Sequence, residues 1–337
     1  MNTCIVGLGI MGKRHVSAAQ SLGVDVSGIC ELNRIVLESA VKEFGLSSEK
    51  AHINFDEMLN KIKPEILVIA TTAPSHCELT CKAAESGVKY ILCEKPMAVS
   101  IKECNRMIEA CENNGAKLAV NHQMRFLGYY IKAKQIINSA EFGGLGSITV
   151  LGGNIGLSMN ATHYFEMFRY LSDENSYEVT AWLSENKVPN PRGAQFEDRG
   201  GSIRVTTKSG KRLYIEIGTD QGHGKNTIIM GKHGQLIIDE LTGKLNLTVR
   251  NETSRNLPTT RYASPSNSSV IEVPPLDALE PTKSVLKALI NSEDYPTGED
   301  GRNTVAIAVA AHYSNENEHR SIILDEMKNN DRKFPWA

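Results

Sequence analysis

The sequence lacks the features that mark membrane, secreted and nucleic-acid-binding proteins. Its 337 residues contain no apolar run near the about 18 residues that a transmembrane helix requires. The first residues, Met1-Asn2-Thr3, lead straight into an apolar strand pattern with no basic segment, which argues against a secretory signal. Lys and Arg total 37 against 39 Asp and Glu, so the basic excess typical of nucleic-acid binders is missing. We therefore expect a cytoplasmic protein that binds neither membranes nor nucleic acid.

Cysteine is present, but in no pattern that builds a site. The seven cysteines are an odd number, none forms a C-x-x-C pair, and no His or Cys spacing matches a zinc site. Cys77 and Cys81 are four residues apart on a predicted helix, a spacing open to a metal or redox interpretation. We favour free thiols that pack as small hydrophobic groups in a reducing compartment. No metal site is predicted.

The N-terminal part alternates strand-like and helix-like patterns. Apolar strand patterns occupy residues 3–6, 24–30, 66–70, 90–93 and 117–120, and amphipathic helix patterns occupy 13–22, 35–44, 55–62, 76–86 and 102–113. Short, almost continuously apolar strands separated by helices indicate a parallel sheet that is covered on both faces. The prediction is an α/β fold that begins with a doubly wound, dinucleotide-binding Rossmann domain over residues 1–121.

The pattern changes after residue 121. Helices are predicted at 129–139 and 162–171, and short strands at 148–152, 179–183, 202–207, 212–218, 227–230, 235–239 and 245–249. Turn signals between the later strands favour antiparallel pairing. A polar stretch at 250–269 predicts a long surface loop, and helices at 278–291 and 301–313 follow.

We therefore predict a C-terminal α+β domain over residues 122–337, with a large, mostly antiparallel, open sheet that binds the substrate. Such a sheet exposes one apolar face. An exposed apolar face of this size predicts a homo-oligomer, either a dimer or a tetramer.

A glycine-rich turn connects the first strand to the first helix. The segment Gly7-Leu8-Gly9-Ile10-Met11-Gly12 is a G-x-G-x-x-G pattern in the context that makes it credible. Gly7 permits the tight turn, Gly9 lets the backbone approach a pyrophosphate, and Gly12 lets the helix pack close to the sheet. The helix N-terminus presents N–H groups to the phosphates. This turn predicts a dinucleotide site.

Glu31 and Arg34 bear on the choice of dinucleotide. Glu31 ends the second predicted strand, where an acid accepts hydrogen bonds from the adenosine ribose. A carboxylate there repels a 2′-phosphate, which favours NAD over NADP. Arg34 could approach such a phosphate, so NADP stays open as the alternative.

Two further motifs stand at the ends of neighbouring strands. Ala70-Thr71-Thr72-Ala73-Pro74-Ser75-His76 follows the third predicted strand, and Cys93-Glu94-Lys95-Pro96 follows the fourth. With the glycine-rich turn and His15, they resemble the glucose–fructose oxidoreductase / inositol dehydrogenase family, Gfo/Idh/MocA. The Glu-Lys-Pro tripeptide is the most specific part of this resemblance, and the order of the two halves fits the family over essentially the whole chain.

The resemblance implies hydride transfer between C4 of a nicotinamide cofactor and a hydroxyl-bearing carbon of a sugar, cyclitol or related compound. It implies that Glu94 contacts the nicotinamide ribose and that Lys95 stands at the reacting centre, with a Lys95–Pro96 bond that is often cis in relatives. The predicted cofactor-binding residues are Gly7, Gly9, Ile10, Met11, Gly12, Glu31, Arg34, Thr71, Thr72, Pro74, His76, Glu94, Lys95 and Gln123.

Proton transfer is the second requirement of this chemistry. A lysine near the positive nicotinamide ring has a lowered pKa and can move the hydroxyl proton or polarise a carbonyl. Relatives carry an Asp and a His four residues apart at the start of a helix in the second domain. Here His163 matches, but Met159 stands four positions upstream and cannot transfer a proton. We predict Lys95 and His163 as the catalytic residues, with a buried structural role as the alternative for His163.

Six residues are predicted to bind the substrate. Asn160 offers an amide to a hydroxyl group, and Arg125 offers a planar fork to a carboxylate or phosphate. For Arg125, an ion pair between the two domains is an equal alternative. The predicted substrate-binding residues are Lys95, His122, Arg125, Asn160, His163 and Tyr164.

The sequence thus predicts an NAD(P)-dependent oxidoreductase that acts on a CH–OH group of a sugar, a cyclitol or a substrate resembling a sugar nucleotide. Two alternatives stay open. Met159 favours a nicotinamide-binding sensor or regulatory protein that has lost turnover. An enzyme that retains its NAD and uses transient oxidation to drive elimination is the other.

Overall fold

The computed structural model describes residues 1–222, 224–255, 257, 265–274 and 278–337. Within these residues the chain forms two compact units. Unit 1 comprises residues 1–123, 277–305 and 328–337, and unit 2 comprises residues 124–276 and 306–327. The first change of unit lies close to the predicted boundary after residue 121. The predicted second domain over 122–337 differs from this division, since two later segments return to unit 1.

Unit 1 is built on a six-stranded parallel sheet. Its strands are β1 (Asn2–Val6), β2 (Asp25–Cys30), β3 (Ala51–His52), β4 (Ile66–Ile69), β5 (Tyr90–Cys93) and β6 (Lys117–Val120). The helices between them are α1 (Ile10–Ser21), α2 (Arg34–Glu43), α3 (Phe55–Ile62), α4 (Ala73–Glu85) and α5 (Ile101–Asn113). The strand order β3-β2-β1-β4-β5-β6 confirms the predicted Rossmann fold. The short edge strand β3 was not predicted, because two residues carry no periodicity.

Some helices in unit 1 have a side chain that caps their N-terminus and others do not, and the uncapped ones mark a candidate site. The side chains of Asn33, Asn54 and Ser100 cap α2, α3 and α5 by accepting backbone N–H groups. In the described part of the chain no side chain caps α1 after Gly9 or α4 after Thr72. These two helix starts follow β1 and β4, which are neighbours in the sheet. Their free N–H groups therefore lie at the same edge of the sheet.

The chain returns to unit 1 through contacts that the sequence pattern does not show. Helix α8 (Leu279–Asn291) is part of unit 1, where Thr282 donates a hydrogen bond to the side chain of Gln123. Thr297 forms an isolated bridge with Ala119 of β6. The N–H of Phe334 donates to the carbonyl oxygen of Val99. These long-range contacts explain why the C-terminal segments group with the Rossmann unit.

Unit 2 is built on a nine-stranded sheet. Its strands are β7 (Ser147–Gly153), β8 (Ser176–Lys187), β9 (Arg199–Thr207), β10 (Arg212–Gly218), β11 (Lys225–Met230), β12 (Gly234–Asp239), β13 (Lys244–Arg250), β14 (Ser266–Glu272) and β15 (Ile322–Ile323). Their order is β14-β13-β12-β11-β7-β10-β9-β8-β15. The pair β7 and β10 is parallel and the other pairs are antiparallel, which confirms the predicted mostly antiparallel sheet.

Three helices complete this part of the chain. They are α6 (Gly128–Ile137), α7 (Thr162–Ser172) and α9 (Gly298–Glu316), whose last residues belong to unit 2. A π-helical turn (Leu157–Ala161) leads directly into α7. None of the described helices is long and apolar enough to cross a membrane.

The predicted loop over 250–269 is corrected in part. Strand β14 begins at Ser266 inside it and pairs antiparallel with β13. Its sequence is polar and its side chains are mostly exposed, so no apolar alternation marked it as a strand. Residues 256 and 258–264 of this predicted loop lie outside the described residues.

The nine-stranded sheet has one buried face and one exposed face. On β7, the side chains of Ile148 and Val150 are buried, while the side chain of Leu151 is 39% exposed. The pairing register and the alternation of side chains put five exposed apolar residues on the same side. We call this surface the open face: Leu151, Trp182, Tyr214, Met230 and Val270.

Candidate functional site

The glycine-rich turn has the geometry that its pattern predicts. Gly7 has φ +83°, and a Cβ there would lie 2.7 Å from the carbonyl oxygen of Ala70. A Cβ on Gly12 would lie 1.8 Å from the carbonyl oxygen of Gly7, so only glycine allows this packing. A Cβ on Gly9 would meet no described atom within 4 Å. The first and third glycines are therefore required by the fold, whereas the second leaves the uncapped start of α1 open to a ligand.

Glu31 is tied to this turn. Its Oε2 accepts a 2.9 Å hydrogen bond from the N–H of Leu8, and its Oε1 accepts a 3.0 Å bond from the N–H of Asn33. The carboxylate thus fixes the glycine-rich turn against the start of α2. Each carboxylate oxygen has a second lone pair, so the predicted contact with a ribose hydroxyl stays compatible with these bonds.

Arg34 lies at the first position of α2 and is exposed. It lines a cavity of about 430 Å³ together with Lys42 and His52. Ile10 is 83% exposed, and the Sδ atom of Met11 lies 3.0 Å from a guanidinium nitrogen of Arg14. The predicted cofactor contacts of these residues stay predictions.

The segment after β4 contains the predicted cofactor-binding residues Thr71, Pro74 and His76. Thr71 accepts a 2.7 Å bond from the Ser75 hydroxyl, and Pro74 lies in the first turn of α4. His76 is 1% exposed, with Nδ1 at 3.1 Å from the Pro96 carbonyl oxygen and Nε2 at 3.1 Å from that of Thr71. Burial lowers the pKa of His76. His76 therefore lies between carbonyl oxygens of the loops after β4 and β5, and its neutral imidazole, which has one N–H, donates to one of them. Its predicted cofactor contact stays a prediction.

Glu94 is held in a buried network of hydrogen bonds. Its Oε1 lies 2.8 Å from Nε2 of His15 and accepts a 2.8 Å bond from the side-chain amide of Asn121. Its Oε2 accepts a 3.2 Å bond from the N–H of Lys95. His15, Glu94 and Asn121 are 0%, 4% and 1% exposed. We call these three residues the buried brace.

The charge state of the brace follows from its contacts. Burial alone would raise the pKa of Glu94, but the hydrogen bond and charge of His15, with Lys95 and Asn121, lower it to about 2. Glu94 is therefore an anion at neutral pH. Its carboxylate holds the main chain of Lys95, and the predicted contact of Glu94 with a ribose stays a prediction.

Lys95 itself stands at the carboxyl end of β5. Its side chain is partly exposed, and the Lys95–Pro96 bond is cis. The brace therefore fixes the backbone of Lys95 at the end of β5. This arrangement is compatible with the predicted catalytic role.

Two residues after β6 also take structural positions within unit 1. His122 is 0% exposed, with Nε2 at 3.4 Å from the hydroxyl of Thr304, so the predicted substrate contact of His122 is not supported. Gln123 accepts its hydrogen bond from Thr282 of α8. The amide nitrogen of Gln123 is left for the predicted cofactor contact, which stays a prediction.

Arg125 forms a buried ion pair, and its predicted substrate contact stays a prediction. It is 2% exposed, and its guanidinium pairs with Glu166 of α7, which is 0% exposed. The guanidinium also lies 4.9 Å from the centre of the Tyr170 ring, and Arg169 reaches Glu166 at 3.4 Å. All four residues belong to unit 2. The pair thus secures the segment before α6 to α7.

Tyr164 is likewise engaged inside unit 2. Its hydroxyl donates a 3.0 Å hydrogen bond to Oε2 of Glu240, while Tyr130 and Thr227 donate to Oε1. Burial raises the pKa of both Glu240 and Tyr164. Tyr164 is 1% exposed and packs α7 on the sheet, and its predicted substrate contact stays a prediction.

The start of α7 carries the remaining predicted residues. Met159 and Asn160 lie in the π-helical turn, and His163 lies in the first turn of α7. All three side chains are partly exposed. The carboxylate of Asp198 accepts the N–H groups of Ser158 and Met159 at 2.9 and 2.8 Å. Burial raises the pKa of Asp198, against the backbone N–H groups that favour the carboxylate.

The structure thus groups the predicted residues within each unit. In unit 1, the glycine-rich turn, Glu31 and Lys95 lie at the carboxyl ends of β1, β2 and β5 of one parallel sheet. In unit 2, Asn160 and His163 share one helix start. The sequence interpretation missed Asp198 and Glu240, since the helix residues that they hold, Ser158 and Met159 for Asp198 and Tyr164 for Glu240, are 39 or more residues away and no local motif marks them. Among the described residues no group of His, Cys, Asp or Glu forms a metal site, and all seven cysteines are free thiols.

Comparison with known proteins identifies the N-terminal part. Residues 1–122 match the family model Gfo/Idh/MocA, described as an oxidoreductase family with an NAD-binding Rossmann fold. This match confirms the family resemblance of these residues and NAD as their cofactor.

Relatives of known name match the chain at modest identity. Inositol 2-dehydrogenase of Salmonella typhimurium is 28% identical over 142 residues, which are 41% of this chain and 42% of that protein. The match therefore spans less than half the length of that relative. Myo-inositol 2-dehydrogenase of Thermotoga maritima is 24% identical over 353 aligned positions, covering 97% of this chain and 99% of that protein.

The fold of the whole chain has solved counterparts. An oxidoreductase from Agrobacterium radiobacter, solved in complex with NAD⁺, L-tartaric acid and magnesium, superposes with a TM-score of 0.81. The superposition covers 97% of this chain and 99% of that one at 17% identity. At this identity the similarity establishes the fold.

Proposed function

We propose, on the premise that residues 1–122 are an NAD-binding Rossmann domain of the Gfo/Idh/MocA oxidoreductase family, that this protein is an NAD-dependent dehydrogenase. Its reaction would transfer a hydride between nicotinamide and a hydroxyl-bearing carbon of a sugar, a cyclitol or a substrate resembling a sugar nucleotide. The observation that carries the proposal is the open space at Gly9, which lies beside the uncapped start of α1.

The residues of unit 1 fit the dinucleotide by chemistry. The uncapped N–H groups of α1 supply donors and a partial positive charge for the diphosphate. Glu31 is fixed beside that turn and disfavours a 2′-phosphate, which supports NAD over NADP. NAD supplies the hydride acceptor or donor when it is bound. The remaining tasks, which are to bind the substrate and to move its hydroxyl proton, belong to the protein.

Lys95 is proposed as the residue that moves the proton. Its backbone is fixed by Glu94, so the side chain leaves from a defined point at the end of β5. A lysine in that position takes the hydroxyl proton during oxidation and returns it during reduction. His163 is proposed as its catalytic partner, and Asn160 as a hydrogen-bonding group for a substrate hydroxyl. The buried positions of His122, Arg125 and Tyr164 support removing them from the substrate-binding set.

The substrate class rests on chemistry and on the names of relatives. Two relatives are named inositol dehydrogenases, and the Agrobacterium structure holds tartaric acid, a dihydroxy acid. Inositol and tartaric acid are both small polyhydroxylated compounds. A panel of cyclitols, aldoses, hydroxy acids and nucleotide sugars therefore covers the proposed class.

Turnover of this panel tests the proposal. Formation of reduced nicotinamide is followed by absorbance for the wild type, for Lys95→Ala and for Lys89→Ala. Lys89 is a matched control, since its side chain is exposed and pairs with Glu65. We expect Lys95→Ala to lose about 100-fold or more in kcat while NADH affinity is kept, and Lys89→Ala to match the wild type. Unchanged turnover in Lys95→Ala would remove Lys95 from the mechanism.

Met159 supports a second candidate function, a nicotinamide-binding sensor without turnover. Its side chain lies in the π-helical turn where relatives carry an acid. Tight NADH binding without turnover of any panel member, and no gain in Met159→Asp, would favour the sensor. A gain in kcat for Met159→Asp would favour the dehydrogenase.

Assembly and location complete the proposal. The open face is an apolar surface on the exposed side of the sheet, which supports a homo-oligomer of two or four copies. A cytoplasmic location is supported by the seven free thiols, which persist in a reducing compartment.

A further inference from the structure

We propose that Asp198 is a positioning residue of the candidate site, and that its carboxylate holds the turn that presents Met159, Asn160 and His163. This inference rests on the proposed dehydrogenase function. It concerns a residue just before β9, outside every motif of the sequence, and it assigns a carboxylate to a turn that has none of its own.

The contacts of Asp198 divide between the two oxygens of its carboxylate. Oδ1 accepts a 2.9 Å bond from the N–H of Ser158, and Oδ2 accepts a 2.8 Å bond from the N–H of Met159. Asp198 is 2% exposed, so water does not compete for these bonds. Bonds from backbone N–H groups to a buried carboxylate are among the stronger hydrogen bonds in proteins.

The turn needs this support because it caps itself poorly. Its N-cap residue is Gly156, which has no side chain, and the turn is π-helical before α7 begins. The N–H groups of Asn160 and Ala161 both donate to the carbonyl oxygen of Gly156. The amides of Ser158 and Met159 are left for a partner from elsewhere, and Asp198 is that partner.

Gly156 makes the contact between Asp198 and the turn possible. A Cβ at this position would lie 2.3 Å from Oδ2 of Asp198. The glycine therefore leaves room for the carboxylate to reach the two amides. An alanine at 156 would displace the carboxylate without removing it.

Asp198 is itself fixed on both sides. Its carbonyl oxygen accepts a 2.9 Å bond from the N–H of Val188, and its Oδ1 accepts a 3.0 Å bond from the N–H of Arg199 at the start of β9. The turn is thus attached to the sheet through one side chain. A catalytic group that must be held to within about 0.5 Å depends on such supports, and an error of about 1 Å costs about 100-fold in rate.

The test uses two single variants, their combination and a matched control. Asp198→Asn keeps the size of the side chain but retains an acceptor for one amide only. Gly156→Ala displaces the intact carboxylate. Asp239→Asn is the control, since Asp239 also accepts the N–H groups of a turn, those of Leu241 and Thr242, elsewhere in unit 2.

Kinetics give the first readout. We expect Asp198→Asn and Gly156→Ala each to lower kcat at least tenfold, with the Kd for NADH within twofold of the wild type and Asp239→Asn unchanged. If both act through the same two bonds, the double variant loses no more than the worse single variant. Multiplicative losses in the double variant, or wild-type kcat in Asp198→Asn, would overturn the inference.

Hydrogen exchange gives a readout that does not depend on turnover. In the protein without added ligand, the amides of Ser158 and Met159 should exchange at least tenfold faster in Asp198→Asn than in the wild type or in Asp239→Asn. Unchanged exchange at these two amides would refute the inference even in an active enzyme. Faster exchange in a protein that turns over no panel member would instead leave the positioning of the turn standing and refute the dehydrogenase.

Discussion

Nε2 of His15 lies 2.8 Å from Oε1 of Glu94, and neither side chain is open to water. Removing one partner of a buried pair leaves the other charge uncompensated, at a cost of about 3–5 kcal/mol. We expect His15→Ala to lower the free energy of unfolding by about 3 kcal/mol, because Asn121 and the Lys95 N–H still hold Glu94.

Urea denaturation followed by circular dichroism measures this change. Lys13→Ala is the control on the same helix, since Lys13 pairs with Glu43 at the surface. Its expected loss is below about 1 kcal/mol. Equal losses in the two variants would contradict a stabilising role for the buried brace.

The pKa of Glu94 makes stability depend on pH in a defined window. Its folded-state pKa of about 2 is below the ordinary value of 4.5, so the ionised form stabilises the fold. This contribution is complete above pH 4.5 and is lost as the pH falls toward 2. The wild type should therefore lose stability more steeply than Glu94→Gln over this window. Parallel curves of unfolding free energy against pH for the two proteins would show that Glu94 does not contribute.

The glycines of the turn predict two different failures. Gly12→Ala forces a Cβ against the carbonyl oxygen of Gly7, so we expect a lower melting temperature and loss of NADH binding. Gly9→Ala places its Cβ in open space, so we expect an unchanged melting temperature but a Kd for NADH raised about tenfold or more. Thermal unfolding and calorimetric titration separate the two effects. Wild-type affinity in Gly9→Ala would place the diphosphate elsewhere.

The open face predicts the assembly state. Tyr214 is 38% exposed near the middle of the nine-stranded sheet. A charge there should be costly in an apolar interface, so Tyr214→Glu should shift a dimer or tetramer to monomer in light scattering. Gln135→Glu, on the exposed side of α6, is the control and should leave the mass unchanged. A monomeric wild type would contradict the prediction that the open face forms an oligomer interface.

Local patterns predicted most of unit 1 because its elements obey local rules. The strand over 90–93, the strand over 117–120 and the helix over 55–62 have the predicted bounds. The structural roles of Gly7 and Gly12 were predicted correctly because they follow from backbone geometry within one turn, and the pyrophosphate contact of Gly9 stays a prediction. Strands β3, β14 and β15 were missed, since two are only two residues long and the third is polar and exposed.

The side-chain partners could not be predicted in the same way. A ribose was the predicted partner of Glu94, whereas its partners within the protein, His15 on α1 and Asn121 just after β6, are 79 and 27 residues away and were not predicted. Arg125 pairs with Glu166, 41 residues away, and a motif records neither distance. Each buried charge is satisfied by residues that only the tertiary fold brings together, because an unpaired charge in the interior is too costly to keep.

Helix α1 carries the glycine-rich turn at one end and His15 in its second turn, and His15 grips the carboxylate that holds Lys95. Helix α1 therefore connects the glycine-rich turn, which is proposed to bind the diphosphate, with Lys95. A dinucleotide that shifted or steadied α1 would act on the backbone of Lys95 through two hydrogen bonds, so we expect bound cofactor to influence the position of this proposed catalytic side chain.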